Sequence, residues 1–430
     1  VRTDVRRLGR EFADLAATPL LIVGGFVLLT SVSLIADQTT GIPALNGLRS
    51  AAGRVIGADA AATALQAVAT GLVTITSITF SVLLLAVQQT ASNLSPVVFD
   101  QFIRRKSNQA FLGFFVGLAI FSYVVLAAGQ ESTPPILGAA LATVLTVVAL
   151  LSLLRLVYST ISQMRPTSVI RAIHDRTLTA RDREAVLVRR TIRQSRSPHP
   201  VRARQTSSVS GYVTHLSLEV LAAALDSAQD AEVCLQVTVG DHIGYGELLA
   251  TVRDADPARA QRIAEAVAAA IHVTGQRNLA DDPTTGIDEL GNIAWTSGST
   301  SKQNPEIARE ATLALRDLAL RWLLDDPVDE HGTDHPRLAV VYRDNDLDRI
   351  LDVLYSMFVV SHESHQHMLA ADVLDTYRSL LDRADGPVAD RLLRDVAVAE
   401  QLLDQDPPSP VLRLARRSFD RARAERESGQ

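Results

Sequence analysis

The sequence predicts a membrane protein: a four-helix α transmembrane domain followed by a cytoplasmic α+β region with a small barrel-sandwich-like module and C-terminal helices. Three observations carry that reading. Four stretches in the first 157 residues approach the roughly 20 apolar residues that a helix needs to cross a bilayer. No charged residue lies between Asp59 and Asp100. Beyond residue 164 the chain turns into an ordinary charged soluble sequence, so the composition is that of two unlike parts.

The expected spans are residues 19–36, 65–87, 110–128 and 136–157, within a domain of residues 1–164. A soluble protein with four such buried helices in about 140 residues would need a far larger shell to cover them. Basic residues set the orientation, because Lys and Arg accumulate in cytoplasmic loops. Arg2, Arg6, Arg7 and Arg10 precede the first span. Arg104, Arg105 and Lys106 separate the second from the third, and Arg155, in the last turn of the fourth, is followed by Arg165 and Arg171. The other two connections carry only Arg49 and Arg54, with no Lys or Arg in the turn Gly129–Pro135. Both termini are therefore expected in the cytoplasm. The first apolar stretch is too long for the core of a cleavable signal peptide. The single cysteine, Cys234, allows no disulfide within the chain.

The second span stands out. The uncharged run from Ala60 to Phe99 would reach about 60 Å as a continuous helix, twice the hydrocarbon thickness. The helix is expected to project from the bilayer or to break, with Pro96 as a terminator. Along it Thr63, Gln66, Thr70, Thr74, Ser77, Ser81 and Gln88 recur at helical spacing and form one polar stripe, with Thr76, Thr79 and Gln89 off it. Two readings compete. Small and hydroxyl residues let helices approach closely and hydrogen-bond across a contact. Polar side chains in a span also face water paths, and a path along a four-helix unit needs an oligomer. The spans proper are expected to hold no ionisable side chain, which argues against a proton relay at mid-membrane.

A basic juxtamembrane segment, residues 165–204, carries eleven Arg against three Asp and Glu. Arg189, Arg190, Arg193 and Arg196 in it are candidates for contact with anionic lipid headgroups, at about 1 kcal/mol per basic residue near the surface. No nucleic-acid-binding fold surrounds them, so nucleic acid is not an expected partner. Residues 195–208, with Pro198 and Pro200, read as a linker. The remaining 205–430 carries a net charge of −17, which serves solubility and could also concentrate cations.

In residues 205–254, strand patterns at Ser210–Val213 and Glu232–Val239 with turns at Gly240-Asp241 and Gly246 look like a barrel-sandwich module of the biotinyl and lipoyl type. No lysine lies between Lys106 and Lys302 to carry a prosthetic group, so no cofactor is expected. Residues 255–430 read as mainly helical: 257–272, 305–324, 346–369 and 387–403, with a strand at 338–342 and a polar tail. His362, His365 and His367 fall on one expected helix, but their spacing does not match a zinc motif, and no metal site is expected. No phosphate loop or nucleophile elbow is present, so no catalytic residues are assigned.

The run Ser77-Ile78-Thr79-Phe80-Ser81-Val82, through Gln88 to Ser95-Pro96 and Phe102-Ile103-Arg104, resembles a bacterial family of predicted membrane proteins, domain of unknown function 2254. Asn108-Gln109, Leu112–Gly117, Gly211-Tyr212-Val213, Gly240-Asp241 and Gly246 extend the resemblance. A third block departs from it: Gly286, Leu290, Asn292-Ile293-Ala294, Thr296-Ser297 and Asn304-Pro305 lack the aspartates and the Ser-Pro of the family pattern. The resemblance implies a multi-pass protein of the bacterial inner membrane and no particular activity. The function expected is a homo-oligomeric ion channel or transport-type protein whose second span lines the path. The alternative is a membrane-anchored interaction or sensory module whose cytoplasmic half binds a partner or small ligand.

Overall fold

A computed structural model describes residues 2–39, 43–93, 105–128, 135–163, 165–226, 230–277, 282–299, 304–324, 337–403 and 409–428. The chain forms two compact units, residues 1–165 and 166–430.

The first unit holds five described helices: α1 (Arg2–Gln38), α2 (Pro43–Val55), α3 (Ala58–Asn93), α4 (Lys106–Ala128) and α5 (Ile136–Gln163). Four of them are long and apolar enough to cross a membrane, over Ala16–Gln38, Ala60–Ala91, Lys106–Ala128 and Ile136–Ser162. Burial is inverted relative to a soluble bundle. Small residues such as Ala61, Ala69, Ala139 and Ala142 are fully buried, while Leu21, Leu28, Ile78, Leu85 and Leu154 are exposed. Packing of small residues inside and large aliphatics outside is what lipid hydrocarbon permits.

Helix α4 packs against α1, α3 and α5. Its approach to α1 depends on Gly113 and Gly117. A Cβ at Gly113 would sit 2.8 Å from the Pro19 Cα, and one at Gly117 would sit 2.4 Å from the Phe26 ring. Phe26 fills the space the glycines leave and meets Phe114 and Phe121 at ring-centroid distances of 5.5 and 6.4 Å.

The helices outrun their apolar cores, and this corrects one expectation. Asp37 lies inside the first candidate span and Arg155 inside the fourth, so these spans do carry ionisable side chains near their ends. Backbone hydrogen bonding continues a helix past the hydrocarbon edge, and a long Arg can reach the interface from there. Helix α3 runs unbroken for 36 residues, about 54 Å. Arg104, Ser95-Pro96, Phe102-Ile103 and most of the expected turn at 129–135 lie outside the described residues.

The second unit opens with α6 (Pro166–Arg190). Strands β1 (Val201–Thr206), β5 (Leu248–Arg253), β3 (Glu232–Leu235) and β7 (Val340–Val341) form one sheet in that order. Strands β4 (His242–Ile243), β2 (Gly211–Leu216) and β6 (Ile271–Thr274) form a second. All pairings are antiparallel except β3 with β7. Helices α7 (Leu218–Leu225) and α8 (Pro257–Ala270) complete this core, whose centre includes Val213, Leu221, Val233, Val252, Ala264 and Val267. Helices α9 (Pro283–Gly298), α10 (Pro305–Leu324), α11 (Asp346–Glu363), α12 (His367–Leu381), α13 (Gly386–Leu403) and α14 (Pro410–Ser428) make the rest mostly helical.

Several local expectations give way here. The linker read at 195–208 contains β1, because Val201–Thr206 pairs along β5. The helix expected over 346–369 is two helices, separated where His365 takes a left-handed φ of +55°. The polar tail is largely α14, which buries Leu412, Ala415 and Phe419 at helical spacing. Its charged outer face hides that stripe from a reading by composition.

Candidate functional site

Helix α3 buries Ala61, Leu65, Ala69, Leu72, Leu83 and Val87. The opposite face holds the polar stripe. Thr70, Thr74, Ser77, Ser81 and Gln88 are all exposed, as are Thr63 and Gln66. At 3.6 residues per turn, these seven fall within about 40° of one line down the helix. Exposed Val73, Ile78, Val82 and Leu85 flank it. Thr74 Oγ1 donates back to the Thr70 carbonyl at 2.9 Å, within its own helix. Thr76, off the stripe, is only partly exposed and its Oγ1 is enclosed without a partner among the described residues. The stripe therefore does not pack against α1, α4 or α5 of its own chain.

A second polar feature ties the span ends together. The Asp37 carboxylate accepts the backbone N–H groups of Leu137 at 3.0 Å and Gly138 at 3.1 Å. These are free donors in the first turn of α5, and a carboxylate there satisfies them and the helix dipole. Arg49 Nη2 donates to the carbonyls of Ala36 at 2.7 Å, Asp37 at 3.0 Å and Thr39 at 3.3 Å, closing the C-terminal end of α1.

In the second unit the arginines expected to meet lipid are spread over a folded element. Arg189 and Arg190 end α6 and are half-buried, while Arg193 and Arg196 are exposed. The Arg196 and Ser197 amides donate to Glu232 Oε2 at 2.7 and 3.0 Å. Arg181, from the same basic segment, is buried in a carboxylate cluster. It pairs with Asp344, with Asp346 at 3.2 Å and with Glu184 at 3.4 Å. Tyr342 donates to Glu184 Oε1 at 2.6 Å, and Trp322 Nε1 donates to Asp346 Oδ2 at 3.3 Å. Burial raises the carboxyls of Glu184 and Asp346 above the ordinary range, and the neighbouring carboxylates add to it. Burial alone would lower the Arg181 guanidinium, but the three carboxylates raise it on balance. These three are the only acidic, His or Cys trio among the described residues with ligand atoms close enough for a metal ion. Arg181 already supplies the positive charge that such an ion would bring. His362, His365 and His367 do not join such a group, although His365 and His367 lie 6.0 Å apart by ring centroids.

A cleft of about 1370 Å³ opens in this unit. Three helical stripes face it: Asp288, Asn292 and Trp295 of α9, Asp348, Asp352 and Ser356 of α11, and Arg391, Arg394 and Asp395 of α13. Tyr212, Gly240, Asp241 and His242 close one side. Helices α9 and α11 meet closely at Gly291, where a Cβ would stand 2.7 Å from Val353 Cγ1. Composition gives no hint of the cleft, since its charged residues read as three solvated helix faces. Only the repeat of Asp and Arg at spacings of three and four signals them.

Residues 13–374 match the family described as predicted membrane protein (DUF2254). The chain belongs to this family. No curated protein and no solved structure matches it. Membership of DUF2254 agrees with the four apolar helices and names no activity. The blocks quoted for DUF2254 in the sequence map onto both features above. Ser77–Val82 lies on α3, while Tyr212, Gly240, Asp241 and Asn292 line the cleft.

Proposed function

We propose that this DUF2254 protein is a homo-oligomeric channel or transport-type protein in which α3 of each copy lines a shared polar path. The observation behind this reading is the exposure of Thr70, Thr74, Ser77, Ser81 and Gln88 on one side of a helix whose other side is buried. A hydroxyl or amide without a partner in hydrocarbon costs several kcal/mol. Thr74 bonds within its own helix; for the other groups of the stripe, water or a second copy of α3 removes that cost, and lipid does not. Under this reading the termini and residues 165–430 lie on the cytoplasmic side of a bacterial inner membrane. The strands of 205–254 serve as a barrel-sandwich-like structural module, in keeping with Gly240 and Gly246, which hold φ of +92° and +82° at its turns.

The test is conductance of the purified full chain in planar bilayers. Ser77→Leu or Ser81→Leu should suppress it while the oligomer survives, because an apolar constriction dewets. A monodisperse monomer in several detergents and in nanodiscs, with no conductance, would remove the reading. The second reading, a membrane-anchored module that binds a small ligand, draws on the cleft of the second unit. It needs no oligomer and no conductance.

A further inference from the structure

His215 of β2 and His272 of β6 stand opposite each other across the smaller sheet. Both are exposed, and their ring centroids lie 5.6 Å apart with the planes inclined at 38°. Neither imidazole hydrogen-bonds or pairs with a charged group among the described residues. Their four ring nitrogens are left uncommitted on one face of the sheet. His174, by contrast, is held between Asp175 and Asp317.

An irregularity of the fold makes this pair. Along β2 and β6, Val213 lies opposite Val273 and His215 opposite His272, so Thr214 is the extra residue of a β-bulge. In a regular ladder Thr214 would meet His272, and His215 would meet Ile271. A bulge re-aims a side chain, and here it brings two imidazoles to one position. The next pair pins them: Leu216 and Ile271 are opposite each other and buried. Strand β6 follows α8 with no intervening residue, and the Thr214 hydroxyl donates to the His272 carbonyl at 3.4 Å. The backbone on both sides of the pair is thus set before any ligand arrives.

The spacing suits chelation. An imidazole nitrogen binds a first-row metal ion at about 2.0–2.1 Å, which puts the ring centroid about 3.2 Å from the metal. Two such rings, at an angle between square-planar and tetrahedral, have centroids about 4.5–5.2 Å apart. The observed 5.6 Å is slightly longer, within reach of a small turn about χ1 or χ2. Imidazole suits late first-row divalent ions, and hard cations such as magnesium prefer oxygen. No third His, Cys, Asp or Glu among the described residues converges with the pair, so water fills the remaining positions. The net charge of −17 on residues 205–430 favours a cation over an anion. The pair His365 and His367 is not equivalent: its centroids are 6.0 Å apart and His367 Nδ1 is enclosed.

We propose that His215 and His272 chelate one divalent late first-row transition-metal ion, with one nitrogen from each ring. Neither residue lines the cleft, and the site stands whether or not the protein conducts.

The test uses the full chain in detergent, free of any histidine tag, with copper(II) as the probe because it binds most tightly in the series. Pulsed electron paramagnetic resonance should show copper(II) with two imidazole ligands. His215→Gln or His272→Gln should each remove the two-imidazole signature and weaken binding by about tenfold or more, since either change breaks the chelate. Both side chains are exposed, so each variant should keep the circular dichroism of the wild type. His365→Gln with His367→Gln should leave the signature in place, and so should excess magnesium chloride. A wild-type spectrum with one imidazole or none overturns the proposal, whatever the variants do. So does a two-imidazole signature that survives in His215→Gln, or one that is lost in the His365→Gln, His367→Gln variant.

Discussion

The Asp37 carboxylate receives the backbone N–H of Gly138 at 3.1 Å, across 101 positions of sequence. One residue at the end of α1 thus caps the start of α5 and fixes the relative height of the two spans. Asp37 is buried and Gly138 is tightly seated, with a Cβ there only 2.5 Å from Val125 Cγ1. Loss of a capping side chain costs about 1 kcal/mol. Asp37→Ala should therefore lower stability by about that amount in a denaturing-detergent titration, and Asp37→Asn, which keeps an acceptor, should lower it less. Equal stability of all three proteins would show that water replaces the cap.

The contact of Gly117 with Phe26 predicts a coupled pair. Gly117→Ala alone should destabilise the first unit by about 1–3 kcal/mol through overpacking. Adding Phe26→Leu frees space at the same spot, so the double variant should be more stable than the sum of the single effects. Additive effects in the same titration would separate the two positions.

Among the described residues Arg181 is the cation that pairs with Glu184, Asp344 and Asp346, so its removal leaves buried charge uncompensated. Arg181→Met should destabilise the second unit by about 3–5 kcal/mol, read from the emission of Trp322, which bonds Asp346.

The same cluster predicts a pH dependence with a defined sign. Glu184 is raised by burial above its ordinary value, so the folded state holds its proton where the unfolded chain has released it. Its contribution is full below the ordinary carboxylate range and is lost as pH rises through the raised folded value. Glu184→Gln cannot ionise. The stability of the wild type relative to that variant should fall as pH rises from the ordinary carboxylate range toward neutrality. A flat difference would show that Arg181 keeps Glu184 ionised throughout.

Lipid contact by the basic segment is tested by changing Arg189, Arg190, Arg193 and Arg196 to Gln. Flotation of residues 165–430 with anionic vesicles should weaken, and more at low salt than at high salt. The exposed pair, Arg193 and Arg196, should account for most of the loss. Unchanged flotation at low salt would take lipid headgroups out of the account.

The sequence by itself determined the membrane part and the family. Apolar runs such as Ile136–Val157 need no partner to be recognised, because the bilayer imposes length and hydropathy on each helix separately. The stripe from Thr70 to Gln88 was legible for the same reason, since helical periodicity alone puts those residues on one side. Whether that side turns inward or outward was not legible. It depends on which face of α3 meets α4, and the tertiary structure decided it by burying Leu65, Leu72, Leu83 and Val87. Long-range polar pairs were equally hidden. Asp37 with Gly138, Arg181 with Asp344 and Arg391 with Asp348 join residues far apart in the chain, and no local spacing records them. The strand at Val201–Thr206 and the helix at Pro410–Ser428 were masked by their polar outer faces, because backbone pairing and a narrow buried stripe, not composition, hold them. Hydropathy acts on each residue where it stands, but a site needs side chains from several helices, and only packing brings those together.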